Sequence, residues 1–495
     1  MPTPNQRQGI LVDKPDQRLS DDQIQLIDSI SRELLEDPGL LCYNQRTTEL
    51  FREAGAKIED AGDCSRIRVS PDILDRALEA APSTIVLGAR NPDNRLILDA
   101  HESRVRFGSG SETNFTLDVQ FDTDGNPSYE RVPGSISLLR DAAHLCENLE
   151  NLDFYIRNVN IQDPEITAEN KDVNKFLGSL NNISKHVQAG LTDLDALDDI
   201  VKLGQIIAGG KEEFEANPVL SFITCVVKSP FQIVDDTAEK LIEISKRRVP
   251  VVISSCPMGG ATGPFDEFGM VAQINAELLA GVMITQLVSP GAPVLYGAVP
   301  VRTRLDNLND LYGAPEFVHY NTDCAQMARF YGLPCYSTAG VGDIDRPGIQ
   351  TTVEKLMTLL TVPKSGAQYI HYAFGLLERT NVFCPEQAIM DDAHIDIAKR
   401  ILKSAPVAES RKDEVLGMIR EVMQTDHKTY IYHLPMPTQE DVYIKYPLEH
   451  EEHGALYAAH EKKKEIMARP RNQLDDAVKA KLKQEIPGIL PGTLD

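Results

Sequence analysis

The chain has 495 residues, and 74 acidic against 50 basic side chains give it a formal net charge of −24 at pH 7. An acidic surface repels phosphate backbones, and no basic stripe interleaved with aromatic residues occurs, so nucleic acid is excluded as a partner. No uninterrupted apolar run reaches the roughly 20 residues that span a bilayer, and the N-terminus lacks a signal-peptide core, so we expect a cytoplasmic protein without membrane association.

Residues 1–104 predict a helical lead-in to a larger domain. Ser20 and Gln23 form a capping box before apolar residues at helical spacing, and Asp37-Pro38-Gly39 ends this helix. A second helix is predicted across 71–81. We therefore separate this lead-in from the part of the chain that follows.

From residue 105 onward, short apolar runs alternate with amphipathic helical patterns. The runs predict eight strands: Val105–Ser109, Asp153–Val159, His186–Gly190, Val219–Val226, Val249–Ser255, Pro293–Ala298, Leu333–Thr338 and Tyr369–Phe374. Helices are predicted near 135–149, 167–181, 192–208, 235–247, 268–288, 315–331, 351–365 and 386–403. Eight strand–helix units across 105–405 predict an α/β fold of the (β/α)8 TIM barrel class, with a doubly wound open sheet as the alternative.

Two segments depart from this alternation. Leu117–Val132 predicts a β-hairpin, because Asp122-Thr-Asp-Gly125 is a turn signal between alternating segments. After residue 405 the pattern ends, and 406–495 predict a helical and irregular C-terminal extension with an aromatic stretch at 427–435 and a charged helix across 458–467. We expect this extension to wrap the barrel or a neighbouring subunit.

Several common catalytic motifs are missing from the sequence. There is no phosphate-binding loop and no Gly-x-Ser-x-Gly elbow, and Gly108-Ser-Gly110 lacks the third glycine of a dinucleotide fingerprint. His450 and His453 favour a solvated charged face over a zinc site, since no third ligand follows at a recognisable spacing. The eight cysteines contain no Cys-x-x-Cys pair, and we interpret most of them as small buried hydrophobic residues.

In a (β/α)8 barrel the active site lies at the carboxyl ends of the strands. No nucleophile with an adjacent base occurs there, so catalytic residues stay unassigned. Aromatic rings can hold a quaternary ammonium and a guanidinium can hold a carboxylate, whereas core packing, surface ion pairs and a buried histidine are the alternatives. The candidate substrate-binding residues are Phe107, Asn158, Tyr296, Arg302, Arg304, Val341, Gly342, Asp343, His371, Tyr372 and Phe374.

Six segments resemble, in order and spacing, the corrinoid-dependent trimethylamine methyltransferase superfamily. They are Phe107-Gly-Ser-Gly110, Asn275-Ala-Glu-Leu-Leu-Ala-Gly281, Ser289-Pro-Gly-Ala292, Leu295-Tyr-Gly297, Tyr331-Gly-Leu-Pro334 and Gln350-x-x-x-Glu354-Lys355. The resemblance extends from Ser20 to the C-terminal helix. It implies a (β/α)8 barrel that moves a methyl group from a methylamine to the cobalt(I) of a corrinoid on a separate small protein.

The founding members of that family carry pyrrolysine in the loop after the seventh strand, shortly before an aspartate. In register with them, the pyrrolysine position falls on Val341 and the aspartate on Asp343, which implies a non-pyrrolysine member. Some such members demethylate glycine betaine, whose leaving group is a neutral amine that needs no general acid. Glycine betaine, giving dimethylglycine, is therefore the predicted donor, with proline betaine, carnitine, choline and trimethylamine as alternatives.

The resemblance also implies a partner. Corrinoid carriers show an Asp-x-His-x-x-Gly motif, and Asp392-Ala-His394 lacks the glycine, so we expect cobalamin in trans from a small corrinoid carrier protein and no stably bound metal. A homo-oligomer and a role in methanogenesis or anaerobic one-carbon metabolism are further expectations. The rival interpretations are another barrel enzyme, such as a lyase acting on a carboxylated metabolite, and a non-catalytic betaine-binding barrel.

Overall fold

The computed structural model describes residues 8–432, 438–440 and 442–495. Its largest sheet contains eight parallel strands, and all eight were predicted, with ends that differ by up to three residues. They are Arg104–Phe107, Phe154–Ile156, His186–Ala189, Leu220–Thr224, Val251–Ser255, Val294–Ala298, Cys335–Thr338 and Tyr369–His371. The second to eighth strands neighbour one another in chain order, and the eighth pairs with the first.

The first and second strands are joined by fewer contacts than the other neighbours. A single parallel bridge connects Gly108 and Phe154, and the Asp153 N–H donates to the Phe107 carbonyl over 2.7 Å. On its other side, the first strand also pairs with an antiparallel strand, Ile10–Leu11. The sheet is therefore curved, and its first strand contacts both the second and the eighth.

A helix follows each strand of this sheet, as predicted. The eight helices are Ile136–Glu147, Ala168–Leu180, Leu197–Ala208, Asp235–Lys246, Glu267–Val288, Pro315–Phe330, Ile349–Lys364 and Pro385–Leu402, and a short helix, Lys211–Ala216, follows the third. Their apolar faces and the outward side of the strands form one large buried cluster. The result is a mixed α/β architecture in which helices cover the sheet.

The helix Glu267–Val288 lies at the centre of this layer. Among the described residues it alone is long and apolar enough to cross a membrane, but 89% of its most apolar window is buried inside the protein. Its polar side chains have partners there: Asn275 accepts a 2.8 Å hydrogen bond from the Tyr296 hydroxyl, and Glu277 accepts one of 2.7 Å from Ser229. Its composition is thus that of a core helix.

The lead-in contains the predicted helices but also strands. Helix Asp21–Glu36 begins with the predicted capping box at Ser20, and helix Pro71–Ala80 is confirmed. The helix Gln45–Ala54 was missed, and so were six strands: Ile10–Leu11, Leu40–Cys42, Lys57–Asp60, Ser65–Arg68, Thr84–Leu87 and Leu96–Asp99. The lead-in is therefore helical only in part, and its strands were missed because two to four residues are too short to show a period of two.

The strands Thr84–Leu87 and Leu96–Asp99 form a hairpin that covers the amino ends of the parallel strands. Leu87, Leu96 and Leu98 form a buried cluster with Phe154 and Tyr369, which begin the second and eighth strands. In addition, the Gly88 carbonyl lies 2.7 Å from Nδ1 of His186 at the start of the third strand. This end of the sheet is closed, so a ligand reaches the inside of the sheet only from the carboxyl ends.

The remaining segments surround those carboxyl ends and the outer helices. The predicted hairpin is present as Phe115–Phe121 and Pro127–Pro133, and it joins Leu376–Leu377 and Val382–Phe383 in a four-stranded sheet. Three short strands, Met258–Gly259, Val301–Thr303 and Asp310–Leu311, form another sheet after the fifth and sixth strands, and Val227–Lys228 pairs with Gln232–Ile233.

The C-terminal extension contributes helices Lys412–Gln424, Gly454–Met467 and Asp476–Glu485. The second of these is the predicted charged helix, and it packs on this chain's own outer helices: His144 Nε2 lies 3.0 Å from the Ile466 carbonyl, and His460 Nδ1 lies 2.9 Å from Glu386. Part of the predicted aromatic stretch, residues 433–435, lies outside the described residues.

Candidate active site

A column of aromatic rings runs along the inside of the curved sheet. The Phe154 and Tyr369 rings stack at 3.5 Å between centroids, Tyr369 lies 5.6 Å from Tyr336, and Tyr336 stacks on His371 at 4.2 Å. His371 in turn contacts Tyr372 edge to face at 3.7 Å. The column therefore leads from the closed amino ends of the strands to their carboxyl ends.

Glycines in the Phe107-Gly-Ser-Gly110 motif make room for this column. A side-chain carbon at Gly110 would lie 2.5 Å from the Tyr372 ring, and one at Gly108 would overlap the Phe154 ring. Tyr372 itself has a φ of 69°, in the left-handed region that bulky residues avoid, and such strain is typical of functional sites. The motif thus has a steric function beside the rings.

His371 is fully buried and neutral. Its Nδ1 donates to the Ser337 carbonyl over 2.8 Å, so the lone pair lies on Nε2, which has no partner among the described residues. Burial lowers the pKa of this imidazole to about 3. A neutral ring supplies no charge for a carboxylate, but it does not repel a cation either.

Two cysteine thiols lie at the carboxyl ends of the fourth and fifth strands. Cys225 and Cys256 are exposed, their Sγ atoms lie 3.5 Å apart, and Cys225 Sγ is 2.7 Å from the Ser254 hydroxyl. The hydrogen bond between the two thiols lowers the pKa of Cys225 and raises the pKa of Cys256. Burial and the neighbouring thiol of Cys256 also raise the pKa of Tyr372.

The interpretation of the cysteines as buried residues therefore holds for most of them but not for this pair. Cys42, Cys146, Cys324, Cys335 and Cys384 are buried, and Cys64 is half-buried. Residues of one strand alternate between its two faces, so the thiol of Cys225 shares a face with Ile223, which contacts the inner cluster of the sheet. The sequence does not show on which face of a strand a cysteine lies, so it could not distinguish the two exposed thiols from the other six.

Val341 lies in the loop after the seventh strand and is 1% exposed. It belongs to an apolar cluster with Val301, Tyr312 and Phe317, against which the Tyr372 ring also packs. The N–H of Gly342 donates to the Leu376 carbonyl over 3.1 Å, which fixes this loop to the loop after the eighth strand. Val341 therefore contributes an inert apolar surface beside the ring column.

Asp343 connects the same loop to the loop after the sixth strand. Its carboxylate accepts hydrogen bonds of 2.8 and 3.0 Å from the N–H groups of Tyr312 and Gly313, and its own N–H donates to Glu354 over 2.8 Å. Burial raises the pKa of Asp343 to about 6, although both backbone donors oppose this shift. The aspartate thus has a positioning role in this structure.

An open cleft of about 440 Å³ lies between these loops, and Arg302, Arg304, Arg379 and Asp343 are among the residues that line it. Two of the arginines are engaged. Arg304 holds Asp306 through two hydrogen bonds of 2.6 and 2.8 Å, and the guanidinium of Arg302 lies 4.6 Å from the Phe265 ring. Met258, two residues after Cys256, pairs with Val301, and Val301 precedes the cleft-lining Arg302, so the cleft and the thiols are neighbours.

Three of the predicted residues lie on the other face of the sheet. Phe107, Tyr296 and Phe374 are 0% exposed and belong to the large cluster between sheet and helices. The Tyr296 hydroxyl donates to Asn275, and the Phe107 ring lies 5.7 Å from Lys399 Nζ. The structure does not bring these rings to the column, because strand faces alternate and both faces of a buried parallel strand are apolar.

Asn158 is also buried, and its Oδ1 accepts a 2.7 Å hydrogen bond from the Tyr155 hydroxyl. Gln188, which lies at a predicted strand end, and Tyr336, which was missed, point to a ligand more directly. The side-chain amide of Gln188 is fully buried without a partner among the described residues, and Tyr336 is a member of the ring column. The signal in the sequence was the position along the strand. Gln188 lies two residues after His186, and Tyr336 lies two residues before Thr338.

The chain is similar in sequence to known methyltransferases. Residues 4–436 match the model of a family described as trimethylamine methyltransferase. The chain is 30% identical over 405 residues to the trimethylamine methyltransferase MttB of Desulfitobacterium hafniense strain DCB-2, covering 81% of this chain and 77% of the relative. It is 28% identical over 392 residues to MttB of Methanosarcina barkeri strain Fusaro, covering 78% and 76%. It is 26% identical over 376 residues to the glycine betaine methyltransferase of D. hafniense strain Y51, covering 76% and 75%.

Proposed function

Because the chain belongs to the trimethylamine methyltransferase family, we propose that this methyltransferase takes its methyl group from a quaternary amine, with glycine betaine as the first candidate. The acceptor is the cobalt(I) of a corrinoid held by a separate small protein. The observation that carries the proposal is the column of rings that ends at Tyr336, His371 and Tyr372, next to an inert Val341.

The rings suit a permanently charged methyl donor. An aromatic face attracts a quaternary ammonium by about 0.5–2 kcal/mol per contact, and the neutral His371 adds no repulsion. Departure of a tertiary amine needs neither a general acid nor an electrophile, so the apolar cluster around Val341 is sufficient at that position. The chain's task is then to align one methyl group with the acceptor and to exclude water.

The relatives include trimethylamine and glycine betaine methyltransferases, and Val341 favours the second kind of substrate. Trimethylamine carries no permanent positive charge, and its activation is the task that the family resemblance assigns to pyrrolysine. Val341 offers no group for such activation. Glycine betaine also carries a carboxylate, for which the neighbouring cleft has arginines.

Arg379 is the best candidate to hold that carboxylate. Its guanidinium has no ion pair or hydrogen bond with the described residues, whereas Arg304 is already bound to Asp306 at both nitrogens of one edge. The backbone N–H of Arg379 donates to the Gly342 carbonyl over 3.2 Å, so this residue is attached to the loop that contains Val341. A free guanidinium at this place can bind a carboxylate in bidentate fashion.

The corrinoid partner is proposed to dock at the carboxyl ends of the strands. When bound there, the corrinoid supplies cobalt(I), the nucleophile that takes the methyl group. Three apolar side chains in the loops after the fifth and sixth strands, Phe265, Leu305 and Leu308, are 51%, 68% and 69% exposed. Exposed apolar groups beside an open cleft fit a macrocycle and its carrier protein.

We also propose that the eight strands close into a (β/α)8 barrel, with domain limits at 104/105 and 405/406. The Gly108–Phe154 bridge and the 2.7 Å hydrogen bond from Asp153 support this closure. Exposed apolar residues on helix Lys412–Gln424, among them Ile419 and Met423, support a homo-oligomer. The cytoplasm is the proposed location.

A spectrophotometric assay of cobalt(I) to methylcobalt(III) conversion tests the function. The chain is mixed with reduced corrinoid and, in separate reactions, with glycine betaine, proline betaine, carnitine, choline or trimethylamine. We expect the fastest conversion with a quaternary amine that carries a carboxylate. Conversion with trimethylamine alone would refute the proposed substrate class, and binding of betaine without any conversion would refute the proposed transfer.

A further inference from the structure

We propose that Cys225 and Cys256 form a redox-active thiol pair that closes to a reversible disulfide. The pair lies beside the end of the ring column, where the methyl donor is proposed to bind. The oxidant is a low-molecular-weight disulfide. This modification concerns the chain itself, so it does not depend on which amine donates the methyl group.

The two sulfur atoms are placed for bond formation. The fourth and fifth strands pair in parallel with Thr224 opposite Ile253, so Cys225 and Cys256 follow directly from neighbouring strands. Their Sγ atoms are already in contact at 3.5 Å. A disulfide needs about 2.0 Å between the sulfurs, so rotation of the two side chains and movement of the loops that begin at these residues must close the remaining gap.

Exposure distinguishes this pair from the other six cysteines. Both thiols are exposed, whereas five cysteines are buried and Cys64 is half-buried. Thiol exchange requires that the attacked sulfur be reachable, and the resolving thiol must lie within bonding distance. Of the eight cysteines, Cys225 and Cys256 meet both conditions.

The two thiols also have different chemical tendencies. The Sγ atom of Cys225 lies 3.5 Å from that of Cys256 and 2.7 Å from the Ser254 hydroxyl, and hydrogen bonds at these contacts lower its pKa toward the thiolate, the attacking species in thiol exchange. Cys256 keeps its proton, because its pKa is raised by its hydrogen bond with Cys225. This arrangement is that of an attacking and a resolving thiol.

The reaction is balanced with the disulfide as the oxidant. The Cys225 thiolate attacks one sulfur of the small disulfide, whose S–S bond breaks and releases one small thiolate. The Cys256 thiol then loses its proton and attacks Sγ of Cys225, which expels the second small thiolate. The protein gives up two protons and two electrons, and one molecule of the small disulfide becomes two thiols.

The disulfide would alter the surface beside the ring column, where the methyl donor is proposed to bind. The thiols lie near Tyr336 and Tyr372, since both cysteines contribute to the raised pKa values of these phenols after burial. A disulfide would join the loops after the fourth and fifth strands and remove a thiol and a thiolate from this surface. We therefore expect oxidation to slow methyl transfer and a dithiol reductant to restore it.

The direct test is peptide mapping by mass spectrometry after anaerobic incubation of the full chain with oxidised glutathione. We expect a 225–256 disulfide, seen as the loss of two hydrogens, in the wild type. The same disulfide should form in the matched control Cys64→Ser, which removes a half-buried thiol outside the pair. Cys256→Ser should stop at glutathione attached to Cys225, and Cys225→Ser should form neither product. Circular dichroism shows whether each variant is folded.

Two results would overturn the proposal. The first is a folded wild type in which both thiols stay free after oxidation. The second is a stoichiometric metal ion that copurifies with the chain, needs both thiols and prevents their oxidation. The mass readout requires no methyl donor, so a chain that forms the disulfide but transfers no methyl group would refute only the proposed function.

Discussion

Lys355 and Asp391 form an ion pair in which neither side chain is exposed, with 3.1 Å between Nζ and Oδ2. The ammonium also donates to the carbonyls of Gly340 and Leu376, and the carboxylate accepts a 2.7 Å hydrogen bond from the Gly375 N–H. A single buried pair thus holds the loops after the seventh and eighth strands, which carry Val341 and Tyr372.

Replacing Lys355 by Met should strongly destabilise the protein. The Asp391 carboxylate would remain buried without its counter-charge, and breaking a buried pair in this way costs about 3–5 kcal/mol. Urea unfolding measures the loss. Lys364→Met is the control on the same helix, because Lys364 pairs with Asp16 at the surface, with exposed fractions of 56% and 53%.

A double variant separates the charge effect from lost packing. Lys355→Met with Asp391→Asn removes both charges, and it should recover part of the free energy of unfolding lost in the single variant. If Lys355→Met unfolds at the same urea concentration as Lys364→Met, the pair does not hold the two loops.

The ion pair of Lys355 and Asp391 also shows which features of the fold could be predicted from the sequence and which could not. The Gln350-x-x-x-Glu354-Lys355 segment was selected by resemblance, and the physical reason for it became visible only when Gly340, Leu376 and Asp391 came together from three parts of the chain. The eight strands of the large sheet and the helices that follow them were predictable, because each is a continuous apolar or amphipathic run. Contacts between distant segments leave no periodic pattern.

The second feature that could not be predicted is the face of the sheet on which each side chain of a buried strand lies. Tyr336 pairs with Gly297, one residue after Tyr296, so Tyr296 points to helix Glu267–Val288 and Tyr336 to the inside of the sheet. Both faces of such strands are apolar, so alternation alone gives no sign of which ring faces a ligand. The exposed thiols were missed for the same reason.

Asp343 should make stability depend on pH in an unusual direction. Its folded pKa is raised to about 6 from 3.8 by burial, so the folded state binds more protons than the unfolded state between these values. Its contribution to the free energy of unfolding therefore falls as the pH rises from 4 to 6. Asp343→Asn should remove this fall, as measured by urea unfolding at several pH values.

Asp345→Asn is the matched comparison two residues away. Hydrogen bonding to Arg346 lowers the pKa of Asp345, so this group stabilises the folded state when ionised, and that contribution is lost as the pH falls through its folded pKa. The two variants should change the pH dependence with opposite signs. Equal curves for Asp343→Asn and the wild type would show that Asp343 does not keep its proton in the folded protein.

Arg379→Ala should raise KM for glycine betaine more than Arg304→Ala does. A charge-assisted hydrogen bond contributes about 1.5–3 kcal/mol, which corresponds to about 10- to 150-fold in KM. Arg304 is already bound to Asp306, so its removal should have a smaller effect, although it also lines the cleft. Steady-state kinetics with glycine betaine and choline measure both effects.

Choline lacks a carboxylate and serves as the internal control for this prediction. Neither variant should change KM for choline by more than a few-fold. If both substrates respond equally to either substitution, that arginine does not hold the carboxylate. A larger effect of Arg304→Ala on glycine betaine would instead show that the ion pair with Asp306 opens for the substrate.

Tyr372→Leu should weaken binding of the cation without affecting an analogue whose quaternary centre carries no charge. The half-buried Tyr372 ring contacts His371 at 3.7 Å, beside the exposed thiols, and a cation–π contact contributes about 0.5–2 kcal/mol, or about 2- to 30-fold in Kd. Calorimetry would compare glycine betaine with 3,3-dimethylbutanoate, which replaces the ammonium nitrogen by carbon. The preference for betaine should shrink in Tyr372→Leu and persist in Tyr296→Phe, whose ring lies on the outer face of the sheet. An equal loss for both ligands would mean that Tyr372 contributes shape alone, and an unchanged preference would place the cation elsewhere.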